Sequence, residues 1–563
     1  MKSTTLDETL AVLAAGKDRW AQLPILEKLQ HLDTLRASTG ANAADWVAAS
    51  VHAKGIRKGS PLEGEEWLSG PYALLSWLGA AHTTLTAIAN GRDVLADIPL
   101  ATRRNGQVIA KVYPFDRIEG LLLHGYTAEV WMQPGVEVGD VSSGAQYRLS
   151  HPKGSVGLIL GAGNISSIPP LDAVYKLFAE GSVVVVKMNP VNEYLGPVFE
   201  RIFGSLIDEG FVRFVNGGAD IGAELTRHPS VDTVHVTGSL ATHDAIVFGR
   251  GAEGALRKAR AEPLLEKPIT SELGGVTPTI VIPGPWDDGD FTYHAEHIAT
   301  QKLHNGGFNC VAAQVLVLPR DWDGTERLIE EVRSALAAAE QRPAYYPGVD
   351  DRHAAAHHHH EDGERIGDHR SLIVGIDPTK VDSHLFNTEV FGPILATTSL
   401  KGTDPSEYLD DAVTFVNEIL HGTLGAQLIA HPDTIAELGH RLEDALDAME
   451  YGAIAVNAWS GVNYFLARAA WGAYPGDPLH EIRSGSGVVH NALLFDQPQK
   501  TVVRGPFRPF PRAITKGEIH ISPRPPWFVT NKTAHTTAER LTRYAADPKP
   551  WRLPGIFASA LRG

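Results

Sequence analysis

The sequence predicts an α/β protein built on mainly parallel sheets. From about residue 155, short apolar runs alternate with amphipathic stretches at the spacing of strand–helix–strand units. The runs "SVGLIL", "SVVVVK" and "VDTVHV" have the continuous Val/Ile/Leu character of strands covered on both faces. Ahead of them, apolar positions recur every three or four residues through the first hundred residues, which predicts a helical layer.

At 563 residues the chain exceeds one ordinary core. Its 43% hydrophobic and 21% charged residues are those of a globular protein. A formal net charge of −16 argues against nucleic acid or an acidic membrane surface as partner. The opening "MKSTTLDETL" lacks the pattern of a signal peptide, and no apolar run is long enough to span a bilayer. With one cysteine no intramolecular disulfide forms, so a reducing, cytoplasmic setting is expected.

Taken in order, "LDETLAVLAAGKDRWAQLPILEKLQHLDTLRAS" and "PYALLSWLGAAHTTLTAIANG" predict helices, the second ending at Gly91. Strand, helix and strand follow in "SVGLILGAG", "PLDAVYKLFAEG" and "SVVVVK". The pattern repeats through "YLGPVFERIFGSLIDEG", "FVRFVNGG", "ADIGAELTRHPS" and "VDTVHVTGS". A second α/β region follows 271, with strands at "AQVLVLP" and "HGTLGAQLIA" and a helix at "WDGTERLIEEVRSALAAAEQ". From about 497 the chain is Pro- and Arg-rich. This argues against a compact helical layer, while Trp527, Phe528, Trp551 and Phe557 suggest that the tail drapes over something apolar.

Four stretches carry chemistry. "LGAGNISS" (160–167) is a worn G-x-G-x-x-G; Lys187 stands where a dinucleotide site places an acid, and suits a ribose hydroxyl or a phosphate. The alternative is a glycine-lined turn with a snorkelling lysine. In "ELGG" (272–275), apolar surroundings would raise the pKa of Glu272, as suits a general base; a cap or turn carboxylate is the other reading. "HNGGFNCVAAQ" holds Cys310, either inert filler or a thiol whose pKa a following helix would lower. The glycines before it would let the backbone approach a flat ligand. "NTEVFGPI" sets Glu389 and Phe391 on a Gly-Pro turn.

In this order the stretches resemble the aldehyde dehydrogenase superfamily, with "VTGS" (236–239) where that family has its pyrophosphate-proximal turn and 23 residues from Asn164 to Lys187. The likeness covers roughly residues 10–490 and marks the chain as a long, divergent member. It implies that Cys310 is the nucleophile, that Asn164 and the Cys310 N–H bind the oxyanion, and that Glu272 activates water. Lys187, Gly238, Ser239, Gly274, Glu389 and Phe391 would hold NAD or NADP. The superfamily fold implied is a Rossmann-type cofactor domain (1–137 and 152–271), an α/β catalytic domain (272–478), and a β-flap and tail (138–151 and 479–563). The flap and tail would serve oligomerisation, giving a homodimer or homotetramer. No metal is implied, although the His-rich stretch 353–369 could bind one.

The departures are informative. Ala162-Gly163 replaces the usual Pro-Trp before Asn164, which would reshape the substrate tunnel. Pro190 stands where NAD-preferring members often carry glutamate, so acceptance of NADP is expected. The 38 residues from Glu272 to Cys310 imply a short insertion near "PWDDGDFTYH". Phe308, Trp459 and Tyr464 are candidate substrate-lining residues. The function implied is NAD(P)-dependent oxidation of an aldehyde through a thiohemiacetal and a thioester. A CoA-acylating enzyme or a non-catalytic binding protein on the same fold is the alternative.

Overall fold

The computed structural model describes residues 5–367 and 369–563. The helices Leu6–Ala21, Ile25–Ala53 and Ala73–Ala89 form the N-terminal layer. Thr5 starts the first with a capping box to Glu8, and the last stops before Gly91, whose φ of +65° suits only glycine well.

Two sheets organise the rest. Among the described residues the smaller has six strands, ordered Gly485–Ser486, Ile269–Leu273, Thr233–Gly238, Val156–Leu160, Val183–Lys187 and Val212–Val215. All its neighbouring pairs are parallel except that of Gly485–Ser486. The strand Val183–Lys187 is buried throughout, as its unbroken valines predict. The larger sheet has eleven strands among the described residues. Its parallel centre is Ala453–Val456, Gly425–Ile429, Thr277–Val281, Ala313–Pro319 and Ile394–Leu400. The chain passes from one sheet to the other between Leu273 and Thr277, directly after Glu272.

Three expectations need correction. The stretch 138–151 is not a strand flap: it holds two short 3-10 turns and one isolated bridge, Ser143 to Phe495. Its Ser-Ser-Gly sequence, with Gly144 at φ +69°, favours turns over a ladder. The flap strands are instead Leu100–Thr102, Val108–Tyr113 and Thr127–Met132. They extend the larger sheet by pairing on Pro498–Arg504 of the same chain, not within the first 137-residue unit.

The tail, third, is partly helical: Ala534–Ala546 packs on Glu63–Trp67 and Ile25–Ala53. Proline and arginine dominate its connecting loops, not this segment. Trp527 and Phe528 are buried, the latter stacked on Tyr293 and His297, whereas Trp551 is 72% exposed. Among the described residues no helix is long and apolar enough to cross a membrane.

Candidate active site

A cavity of about 1890 Å³ opens at the C-terminal ends of the smaller sheet's strands, where such sheets bind ligands. All nine candidate catalytic and cofactor-binding residues line it: Asn164, Lys187, Gly238, Ser239, Glu272, Gly274, Cys310, Glu389 and Phe391. Lys187 ends its strand, and burial lowers its pKa, opposed by Glu193 and Asp220. Ser239 caps the helix Leu240–Val247, accepting from the Thr242 N–H at 3.2 Å, so that helix aims its N-terminus at the cavity.

At the other end, the Cys310 thiol donates to Glu272 Oε1 at 3.7 Å. Glu272 lies within its strand, with Thr237 as its cross-strand partner. Burial and then the nearby Asp172 carboxylate push it up to about 7. Asp172 is itself buried, with His235 Nε2 at 3.6 Å and the Thr237 hydroxyl donating at 3.4 Å. The Asn164 amide donates one N–H to the Phe308 carbonyl at 3.1 Å, leaving its second for a ligand.

Cys310 departs from expectation. A turn and the strand Ala313–Pro319 follow it, not a helix, so no helix N-terminus lowers its pKa. Burial, then Glu272 and Glu389, push the thiol well above its usual value. The glycines before it also serve differently. A Cβ on Gly307, at φ +80°, would lie 2.7 Å from the Gly392 backbone, so this glycine makes room for the Phe391–Pro393 turn.

Gly274 does the same for Glu389: a Cβ there would collide with the Glu389 carboxylate. Burial raises Glu389 to about 8, and its Oε1 has no partner among the described residues. Phe391 packs edge-on to Tyr346 at 4.9 Å between ring centres, and its carbonyl accepts from Arg352 Nε at 2.9 Å. Arg352 belongs to the helix Val349–His359, which carries much of the His-rich stretch. That helix therefore buttresses the Glu389 turn through Arg352; among the described residues no three His, Cys, Asp or Glu converge on a metal position.

Phe308, Trp459 and Tyr464 do not line the cavity. Phe308 faces a separate cavity of about 410 Å³, Trp459 donates to the Val311 carbonyl, and the Tyr464 hydroxyl is held by Ser167 at 2.7 Å. Their packing leaves no argument from them for an aromatic substrate. The segment "PWDDGDFTYH" starts the helix Asp288–Leu303, which leads into the loop carrying Cys310, and lies outside the cavity.

Sequence reasoning missed several buried charges. Lys302 is fully buried, with no partner for Nζ among the described residues, and burial lowers it to about 7. Lys54, Glu65 and Glu66 are buried behind Asn164. The one local signal was the three glutamates of "EGEEWLSG", set among apolar and small residues.

The sequence profile of the "Aldehyde dehydrogenase family" matches residues 82–366. An aldehyde dehydrogenase of Deinococcus radiodurans is 26% identical over 382 residues, which are 63% of this chain and 66% of that protein. A long-chain-aldehyde dehydrogenase of an Acinetobacter species is 26% identical over 389 residues, 63% of this chain and 68% of that protein. The aligned stretches thus span about two thirds of the length of these relatives. Among solved structures, an indole-3-acetaldehyde dehydrogenase complexed with NAD+ superposes with a TM-score of 0.57 at 16% identity, covering 88% of each chain. That likeness speaks to the fold; the family profile, spanning half the sequence and including Glu272 and Cys310, places this chain in the aldehyde dehydrogenase family.

Proposed function

We propose that the protein oxidises an aldehyde to a carboxylic acid with NAD or NADP, using Cys310 as nucleophile. The observation that carries this is the thiol bonded directly to a buried carboxylate, Glu272, inside a cavity sized for a dinucleotide. The residues present fit that cofactor. Lys187 has no ion-pair partner among the described residues, the Ser239 helix offers free N–H groups, and Glu389 keeps an unpartnered oxygen over the Cβ-less Gly274. The relative solved with NAD+ has the same fold.

The chemistry the residues perform follows from their protons. Glu272, at about 7, takes the thiol proton at working pH, which offsets the raised pKa of Cys310. The thiolate adds to the aldehyde carbon, and the oxyanion formed lies within reach of the Asn164 amide and the Cys310 N–H. NAD or NADP, held by Lys187, Ser239 and Glu389, would supply the hydride acceptor for that carbon, and Cys310 would keep the acyl group as a thioester. Once Glu272 has passed the thiol's proton to solvent, it draws a proton from water; the hydroxide adds to the thioester carbon, the Cys310 thiolate leaves and takes that proton back, and the acid is released. Lys187 would hold the adenine ribose or its phosphate, with Glu389 on the nicotinamide ribose and Phe391 beside the ring.

Pro190 lines the cavity close to Lys187 and offers no carboxylate to repel a 2′-phosphate, which supports NADP acceptance. The test is a panel of aldehydes varied in length and aromaticity, assayed with NAD and NADP and with or without CoA. Cofactor reduction yielding free acid is expected. Acyl-CoA as product would overturn hydrolysis, and a preference for NAD of about a hundredfold would overturn the cofactor assignment. We infer assembly as a homodimer or homotetramer from the open edge of Leu100–Thr102, for light scattering to check.

A further inference from the structure

The carbonyl oxygen of Asn164 is a junction of distant segments. It accepts from Lys54 Nζ at 3.2 Å, Asn305 Nδ2 at 3.1 Å and the Tyr345 hydroxyl at 3.0 Å. Lys54 gives its other protons to Glu66 Oε1 at 2.8 Å and Asn305 Oδ1 at 3.0 Å, so its ammonium is saturated. Asn305 also donates from Nδ2 to the Phe308 carbonyl at 2.8 Å, and its backbone N–H reaches Glu65 Oε2 at 3.0 Å. Glu65 pairs with Arg342 at 2.5 Å. Two cations thus balance two carboxylates, as buried charge requires.

Such a cluster is a poor device for stability alone, because apolar packing of the same volume does as well. Its distinctive property is direction. Asn305, Gly306 and Gly307 stand at φ +55°, +69° and +80°, three successive left-handed residues in the loop that delivers Cys310. The bonds on Asn305 hold that loop, and those on the Asn164 carbonyl hold the residue whose side chain lines the same cavity as the thiol. None of Lys54, Glu66 and Tyr345 lines the cavity. The C-terminal extension backs the cluster: a Cβ on Gly64 would lie 2.6 Å from the Ala534 carbonyl carbon, so the tail helix sets where Glu65 and Glu66 sit.

We propose that Lys54, Glu66 and Tyr345 are positioning residues that hold the Asn164 amide in register with Cys310 for oxyanion binding, without touching substrate. The proposal rests on the assignment of Cys310 and Asn164 made above, and its test does not need aldehyde oxidation. Hydrolysis of a p-nitrophenyl ester requires the thiol and the oxyanion donors but no cofactor. The thiolate adds to the ester carbonyl, nitrophenolate leaves, and water cleaves the thioester. Alkylation by iodoacetamide requires the thiol alone, and the single cysteine makes it report Cys310 only.

In the full chain, Tyr345→Phe should lower kcat/KM for the ester about tenfold, and Lys54→Met/Glu66→Gln about a hundredfold. Alkylation rates should stay within about twofold of wild type. Tyr345→Phe unpairs no charge, so it reads out even if the double variant fails to fold. Unchanged ester hydrolysis in Tyr345→Phe, or alkylation slowing in step with hydrolysis, would overturn the proposal. A wild type that hydrolyses the ester yet oxidises no aldehyde would sink the aldehyde assignment instead, and leave this comparison measurable.

Discussion

Lys187 and Ser239 stand at one end of the cavity, Cys310, Glu272 and Glu389 at the other, and the two groups are handled differently. At the first end Ser239 is exposed, and burial lowers the lysine's pKa while Glu193 and Asp220 oppose it. At the second, burial raises two carboxylates to about 7 and about 8 and pushes the thiol up. The lesson concerns what each end must do. A binding surface needs polar groups that a ligand can reach, and their charges can stay ordinary. A reacting centre needs proton affinities near the working pH, and only withdrawal from water moves a carboxyl that far.

Substitutions at the two ends should therefore fail in different ways. The largest effect is expected of Cys310→Ala: turnover should fall by at least about 10⁴-fold, while cofactor Kd, followed by nicotinamide fluorescence, stays put. A weakened Kd would break the division between the ends.

Glu272→Gln comes next. Steady-state turnover should drop about 10²- to 10⁴-fold, and rapid mixing with base-assisted thiol at high pH should still show one burst of reduced cofactor. The same variant should be more stable. Because Glu272 is raised in the folded state, the fold retains a proton that the unfolded chain releases between 4.5 and about 7. Wild-type stability is thus lost as pH rises through that window, on the order of 2–3 kcal/mol, and the glutamine removes the loss. Denaturant melts of both proteins at pH 5 and pH 8 check it.

The pH profile is a gentler probe. Base catalysis needs the ionised carboxylate, so kcat should rise about tenfold per pH unit up to about pH 7 and level off above it. A profile that stays flat down to pH 5 would place the working base elsewhere. Smallest is Lys187→Ala, expected to raise the KM for NAD about fivefold and that for NADP more, with kcat retained. Equal loss for both cofactors would mean that Lys187 does not meet the 2′ position.

Much of this was legible along the chain, because strands covered on both faces must be apolar throughout and their glycine-punctuated ends must carry the reactive groups. Glu272, Lys187 and Ser239 could be found that way. The tail helix Ala534–Ala546 could not, since the proline and arginine around it set the texture of the whole extension. Nor could the strand Thr127–Met132, which gains its place only by pairing with Pro498–Arg504. The direction of the Cys310 shift was misread because it depends first on burial, then on a carboxylate 38 positions earlier, and because a turn stands where a helix was expected.

By itself, then, the sequence determined which residue types stand at the ends of which strands, and with them the α/β class and the candidates for nucleophile and base. The tertiary structure alone decided what those residues are chemically. Proton affinity and orientation depend on burial and on partners such as Lys54, Asp172 and Glu389, drawn from segments up to hundreds of residues apart. No local pattern encodes that meeting; it follows from how the two sheets and the N- and C-terminal helices close around one cavity.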